Sequence, residues 1–144
     1  DRMRTLRAAG VTLRGIAADL NRDGFLDVII ANPPYMQDAC GRTYRHGGGG
    51  YGEALSARIV AECLPRLAAG GMLCLYTGAP VVDGLDMFAA SIQPIVADFA
   101  RGRDLSMSYE ELDPDVFGEE LSQPAYKDVD RIAAVGLTLR VSGG

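Results

Sequence analysis

The tetrapeptide Asn32-Pro33-Pro34-Tyr35 follows directly on the apolar run Phe25–Ala31, FLDVIIA. Two consecutive prolines fix φ and remove two backbone donors. Asn32, as the residue before a proline, is biased to an extended backbone. The product is a rigid loop that offers a side-chain amide, two free carbonyls and an aromatic ring. Those groups suit a planar amine or amide. The Asn32 side-chain oxygen and a proline carbonyl accept both hydrogens of an NH2 group, and Tyr35 stacks on its plane. Accepting those hydrogens leaves the nitrogen lone pair free to attack an electrophilic methyl, a reaction that asks for positioning more than for acid–base chemistry. The plainer reading of Pro33-Pro34 is that it ends a strand.

The loop needs a strand to carry it. Phe25–Ala31 is β-rich and continuous in its apolar character, as in a strand buried on both faces. Ligands of open α/β sheets bind beyond the carboxyl ends of such strands. Upstream, Met3, Leu6 and Ala9 lie at helical spacing with Gly10 as a stop, Val11–Ala17 reads as a short strand, and Asn21–Gly24 as a turn. Downstream, Glu53–Ala68 reads as a helix with Leu55, Ile59, Cys63 and Leu67 in one stripe, which Pro65 should disturb. Met72–Thr77 is the next strand, Gly78–Gly84 a loop, and Leu85–Ala100 a second helix. Asp104–Glu110 and Arg131–Val141 are strands, with loop over Leu112–Asp128 between them. Strands alternating with helices imply an α/β fold: a single domain over 1–144, three layers, with a mostly parallel sheet and an antiparallel pair at the C-terminal end.

Composition narrows the chemistry. The chain has 144 residues, 48% hydrophobic and 23% charged, an ordinary globular balance. Net charge is −5, the wrong sign for a broad nucleic-acid footprint, with Arg42–Arg45 a local exception. No apolar run is long enough to span a bilayer, and Asp1-Arg2-Met3-Arg4 does not begin a signal peptide. Cys40, Cys63 and Cys74 stand far apart, without a disulfide framework or zinc pattern, so a cytoplasmic location is expected. No metal site is read from Glu110, Glu111, Asp113 and Asp115, nor a catalytic role from the lone His46. Gly47-x-Gly49-x-x-Gly52 matches a dinucleotide fingerprint in letters alone. It follows a polar loop instead of a strand and lacks the acid some twenty residues on, so an oxidoreductase is disfavoured. A mobile lid over the site, or plain disorder, is the better reading.

Phe25–Met36 resembles motif IV of class I S-adenosylmethionine-dependent amino-methyltransferases, a group that includes release-factor glutamine N5-methyltransferases and adenine N6-methyltransferases. Tyr44–Thr77 is similar to the glycine-rich loop, helix and strand that follow that motif. Asp115–Leu139, with VFGEEL and DRIAAVGLTL, is similar to the closing strand pair of a small bacterial methyltransferase group. The likeness runs from about Ala8 to Val141. It implies a Rossmann-like fold and N-methyl transfer to a glutamine amide or an adenine amino group. Asn32, Pro33 and Pro34 would hold the nitrogen, Tyr35 would stack on it, and Asp19 would contact the cofactor adenine; for Asp19 a polar turn residue is the alternative. The family's glycine-rich cofactor loop has no counterpart here, so the chain reads as the C-terminal part of that fold, N-terminally incomplete. The competing expectation is a non-catalytic module used for dimerisation or partner binding. Missing partner strands would leave the Phe25–Ala31 edge unpaired, an association hazard. Either a homodimer forms through that edge or Val11–Ala17 folds back against it.

Overall fold

A computed structural model describes residues 3–4, 7–8, 11–12, 15–20, 22–37, 47–48 and 50–143, with backbone alone before Ala17. Cys40, Arg42, Arg45, His46 and Gly49 lie outside the described residues.

In chain order the strands are β1 (Met3–Arg4), β2 (Arg7–Ala8), β3 (Val11–Thr12), β4 (Gly15–Ala18), β5 (Leu26–Ala31), β6 (Leu67–Val82), β7 (Leu85–Asp86), β8 (Leu105–Asp113) and β9 (Arg131–Val141). Helices α1 (Ala54–Cys63) and α2 (Met87–Ala100) follow β5 and β7. The main sheet has the order β1-β4-β5-β6-β9-β8, with β7 hairpinned onto the end of β6; β2 and β3 form a separate small pair.

Two expectations are corrected here. The segment around Met3–Ala9 contains the short strands β1 and β2, not a helix. The sheet is mixed and mostly antiparallel: among the described strands only β5 and β6 run parallel. A parallel neighbour needs a crossover of a dozen residues or more, and the β5–α1–β6 segment supplies one for the pair β5 and β6. The short turn after β4 returns the chain at once, so β4 lies antiparallel on β5, with Ala18 opposite Val28 and Gly15 opposite Ala31. Of the segment Val11–Ala17 expected to fold back on the β5 edge, only the part from Gly15 does so, while Val11–Thr12 pairs with β2. Strand β9 inserts between β6 and β8, antiparallel to both, in keeping with the expected C-terminal pair.

Local chemistry explains the element ends. Helix α1 buries Leu55, Ser56, Ile59, Val60 and Cys63, then tightens into a 3-10 turn at Leu64–Arg66. Pro65 has no N–H to continue the ladder, so the strand starts at Leu67, inside the span read as helix. Helix α2 begins where the Asp86 side chain accepts from the Ala89 N–H at 2.8 Å. Strand β6 runs on through Gly78 and Pro80, the span read as a loop, because it pairs there with β9: Gly78 opposite Ala134 and Pro80 opposite Ile132.

Both helices pack on one face of the sheet. The core joins Ile29 and Ala31 of β5, Leu73 and Leu75 of β6, and Val135, Leu137 and Leu139 of β9 to Ile59 and Val60 of α1 and Phe88 and Ile92 of α2. The alternate residues Ile30 and Tyr76 point to the other face and are exposed. Among the described residues no α-helix covers that face, and only the 3-10 turns Gly118–Ser122 and Pro124–Tyr126 meet it, near Ile132; the described structure has two α/β layers where three were expected. No helix among them is long and apolar enough to cross a membrane.

Candidate functional site

The loop Asn32–Tyr35 leaves the carboxyl end of β5, at the end of the sheet where the β5–α1 connection begins. Asn32 is exposed, and no hydrogen bond within the described residues engages its side chain. Pro33 is buried, and Pro34 and Tyr35 are half-buried. Burial raises the Tyr35 phenol above its ordinary pKa, and the neighbouring Tyr76 adds to the shift, so the ring is neutral at physiological pH. The loop thus presents an uncommitted amide beside an uncharged aromatic ring.

Glycines mould the loop from two sides. A side chain at Gly47 would overlap the carbonyl oxygens of Pro34 and Gly52, and one at Gly52, whose φ is 100°, would overlap the Tyr35 carbonyl. The Gly47 N–H donates to the Met36 carbonyl at 2.9 Å, and the Gly47 carbonyl accepts from the Leu55 N–H at 2.8 Å. These two glycines pack the start of α1 onto the main chain of the loop, a bracing role that replaces the lid reading for them. On the other side a side chain at Gly78 would run into the Tyr35 ring.

Two aromatic residues at the site were not singled out in the sequence. Tyr126 is buried, accepts from the Gln37 N–H at 2.5 Å and contacts the Met36 sulfur at 3.9 Å. It anchors the exit of the loop to a second apolar cluster of Met36, Val129 and Ile132. Phe117 lies with its ring centroid 6.4 Å from that of Tyr35, tilted by 43°. It is exposed, and its φ is 58°, a left-handed backbone that bulky residues rarely adopt. Both fall in the stretch read as featureless loop, far from Tyr35 in the chain. Only the tertiary fold brings them near, and no local pattern marks them.

Behind Tyr51 lies a cavity of about 490 Å³ lined by Val82, Asp83, Lys127, Asp128 and Asp130. Its lining is rich in carboxylates. Tyr51 packs against the cluster that also holds Tyr35 and Met36.

Asp19 sits in the turn between β4 and β5. Its two oxygens accept from the N–H groups of Asp23 at 3.2 Å and Gly24 at 2.9 Å. Asp23 accepts from Phe25 at 2.9 Å, and Asp27 from Leu20 at 2.8 Å. The spacing Asp19-x-Asn21-x-Asp23-Gly24-x-x-Asp27 matches the first positions of a calcium loop. Among the described residues no group of three His, Cys, Asp or Glu side chains is placed to hold a metal. The resemblance implies S-adenosylmethionine as methyl donor. Asp19, the side chain assigned to its adenine, is committed to the turn, so it does not fit that group as it stands.

The family described as FG-GAP repeat matches residues 15–53, well under half of the chain. That span runs from β4 to the start of α1 and includes the turn just described. No curated protein matches the chain. Among solved structures, a methyltransferase from Pyrococcus furiosus overlaps 85% of this chain at 17% identity with a TM-score of 0.39. The chain spans 43% of that protein's length.

Proposed function

We propose that this chain carries the acceptor-binding half of an S-adenosylmethionine-dependent N-methyltransferase, acting on a planar nitrogen at Asn32–Tyr35. The observation that carries the reading is an exposed, uncommitted Asn32 amide on a strand-end loop whose main chain is braced by Gly47 and Gly52. The Asn32 side-chain oxygen and the Pro33 carbonyl accept the two hydrogens of the acceptor nitrogen, and Tyr35 fixes its plane. The lone pair then points away from the loop toward the methyl. Holding reactants in such a geometry is worth a large share of the barrier without any proton transfer in the attack. The donor supplies the electrophilic methyl; the residues described here orient the nucleophile.

Between the acceptors, a polypeptide glutamine amide is favoured over adenine in nucleic acid. The net charge of −5 and the carboxylates of Asp83, Asp128 and Asp130 beside Tyr51 repel phosphates. Transfer of labelled methyl to protein, but not to DNA or RNA, tests the choice. Label appearing in nucleic acid alone rejects it.

A second reading draws on the half-exposed Ile30 and Tyr76 on the face that no α-helix among the described residues covers. In that reading the chain is a non-catalytic module that associates with a second copy. Sedimentation equilibrium that gives a monomer at high concentration removes it.

A further inference from the structure

Within β6, Thr77 points into the helix layer and Gly78 to the opposite side. The Thr77 Oγ1 lies 2.6 Å from the Ser56 Oγ of α1, and neither residue has exposed surface. With both hydroxyls cut off from water, this bond fixes how β6 sits under α1. Gly78 comes next and lies beneath the Tyr35 ring: a methyl at position 78 would overlap Cγ, Cδ2 and Cε2 of that ring. Gly78 is not among the glycines of positive φ, and it pairs in register with Ala134. Backbone freedom therefore does not call for a glycine there; room for the ring does.

We propose that Gly78 is a positioning residue. It is the seat that sets the plane of Tyr35, and the Ser56–Thr77 pair holds that seat in register. The proposal rests on the reading that the acceptor stacks on Tyr35. A side chain at 78 turns the ring out of its plane and weakens acceptor binding, while Asn32 and the fold stay intact.

Two measurements on the full chain test it. The first is a double-mutant cycle in thermal stability, with Gly78→Ala made in the natural chain and in Tyr35→Ala. The expected result is a lower Tm in the natural chain and little change once the ring is gone; equal losses in both backgrounds overturn the seat. If Gly78→Ala alone fails to fold, recovery of folding in the double variant supports the same conclusion, and a double variant that also fails overturns it. The second is titration of N-acetylglutaminamide, followed by NMR of ring-labelled tyrosine. Gly78→Ala should weaken binding about tenfold, the size of one lost aromatic contact, and should have no further effect in Tyr35→Ala. Unchanged affinity in Gly78→Ala, with a loss in Asn32→Ala, overturns the seat and leaves the loop reading standing. No binding by the natural chain, or unchanged affinity in Asn32→Ala, overturns the loop reading and the seat with it.

Discussion

Strand β5 has a polar turn at each end. At its start, Asp19, Asp23 and Asp27 each accept backbone N–H groups of the same turn, so the carboxylates hold together the hairpin that lays β4 on β5. At its finish, the Asn32 side chain is held by no hydrogen bond in the described structure, and the bracing comes from glycines packed against carbonyls. The first turn uses its own polar side chains as struts. The second is stiffened by prolines and close packing, which leaves its amide available. An abundance of polar groups therefore says little by itself about a site; whether their hydrogen bonds are already taken says more.

Substitutions should separate the two ends by what they damage. Asn32→Ala is expected to lower methyl transfer by at least about a hundredfold, as loss of one hydrogen-bonding group at a reacting centre commonly does. Stability should stay within about 0.5 kcal/mol, since the side chain is exposed. Methyl-transfer assays and thermal melts check both halves, and undiminished turnover would remove Asn32 from the site. Ser56→Ala leaves the Thr77 hydroxyl buried without its partner and should cost about 1–3 kcal/mol in urea unfolding. Adding Thr77→Val should recover much of that loss, and a second variant no more stable than the first would contradict the account of the pin. Asp19→Ala removes two backbone hydrogen bonds from a solvent-accessible turn and should cost about 1 kcal/mol, with tyrosine NMR signals of the loop unmoved. Loss of acceptor binding in Asp19→Ala with stability unchanged would reverse the comparison.

The smallest effect is a control that lies at neither end. Burial pushes the Cys63 thiol up to about 11, against an opposing pull from Arg66. Below its ordinary value of 9.0 the thiol is protonated folded or unfolded, so its contribution is fully present there. From that pH upward the unfolded chain releases the proton while the folded chain keeps it, and stability falls toward pH 11. Burial likewise raises Tyr109, whose hydroxyl donates to Asp86 at 2.5 Å, so a similar loss follows above its ordinary value of 10.0. Melting temperatures across this range should decline in the natural chain and decline less in Cys63→Ala. An equal decline in both would remove Cys63 as a cause.

How much of this was legible depended on how local each signal was. Helix α2 and strand β9 follow from nearby residues: Asp86 caps the helix, Phe88 and Ile92 mark its inner side, and RIAAVGLTLRV is β-rich throughout. The position of Asn32–Tyr35 at a strand end was equally local. The antiparallel return of β4 was harder to see, because pairing direction depends on which strands are neighbours. Gly78 and Pro80 read as breakers in isolation, yet β9 carries the strand through them. Tyr126, Phe117 and the seat at Gly78 all depend on contacts between distant parts of the chain, which no spacing rule records.

The β6–β9 ladder also has a bearing on how the chain reaches its native state. It joins Val81 to Arg131 at its near end and Met72 to Arg140 at its far end, whereas the β4–β5 hairpin joins Ala18 to Val28. Entropy charges more for closing the longer loop, and the chain in between must first be gathered by α2 and β8. The hairpin can therefore zip early and the ladder late. Tyr35 has no floor until β6 is aligned, so the ring would take its seat among the last events of folding.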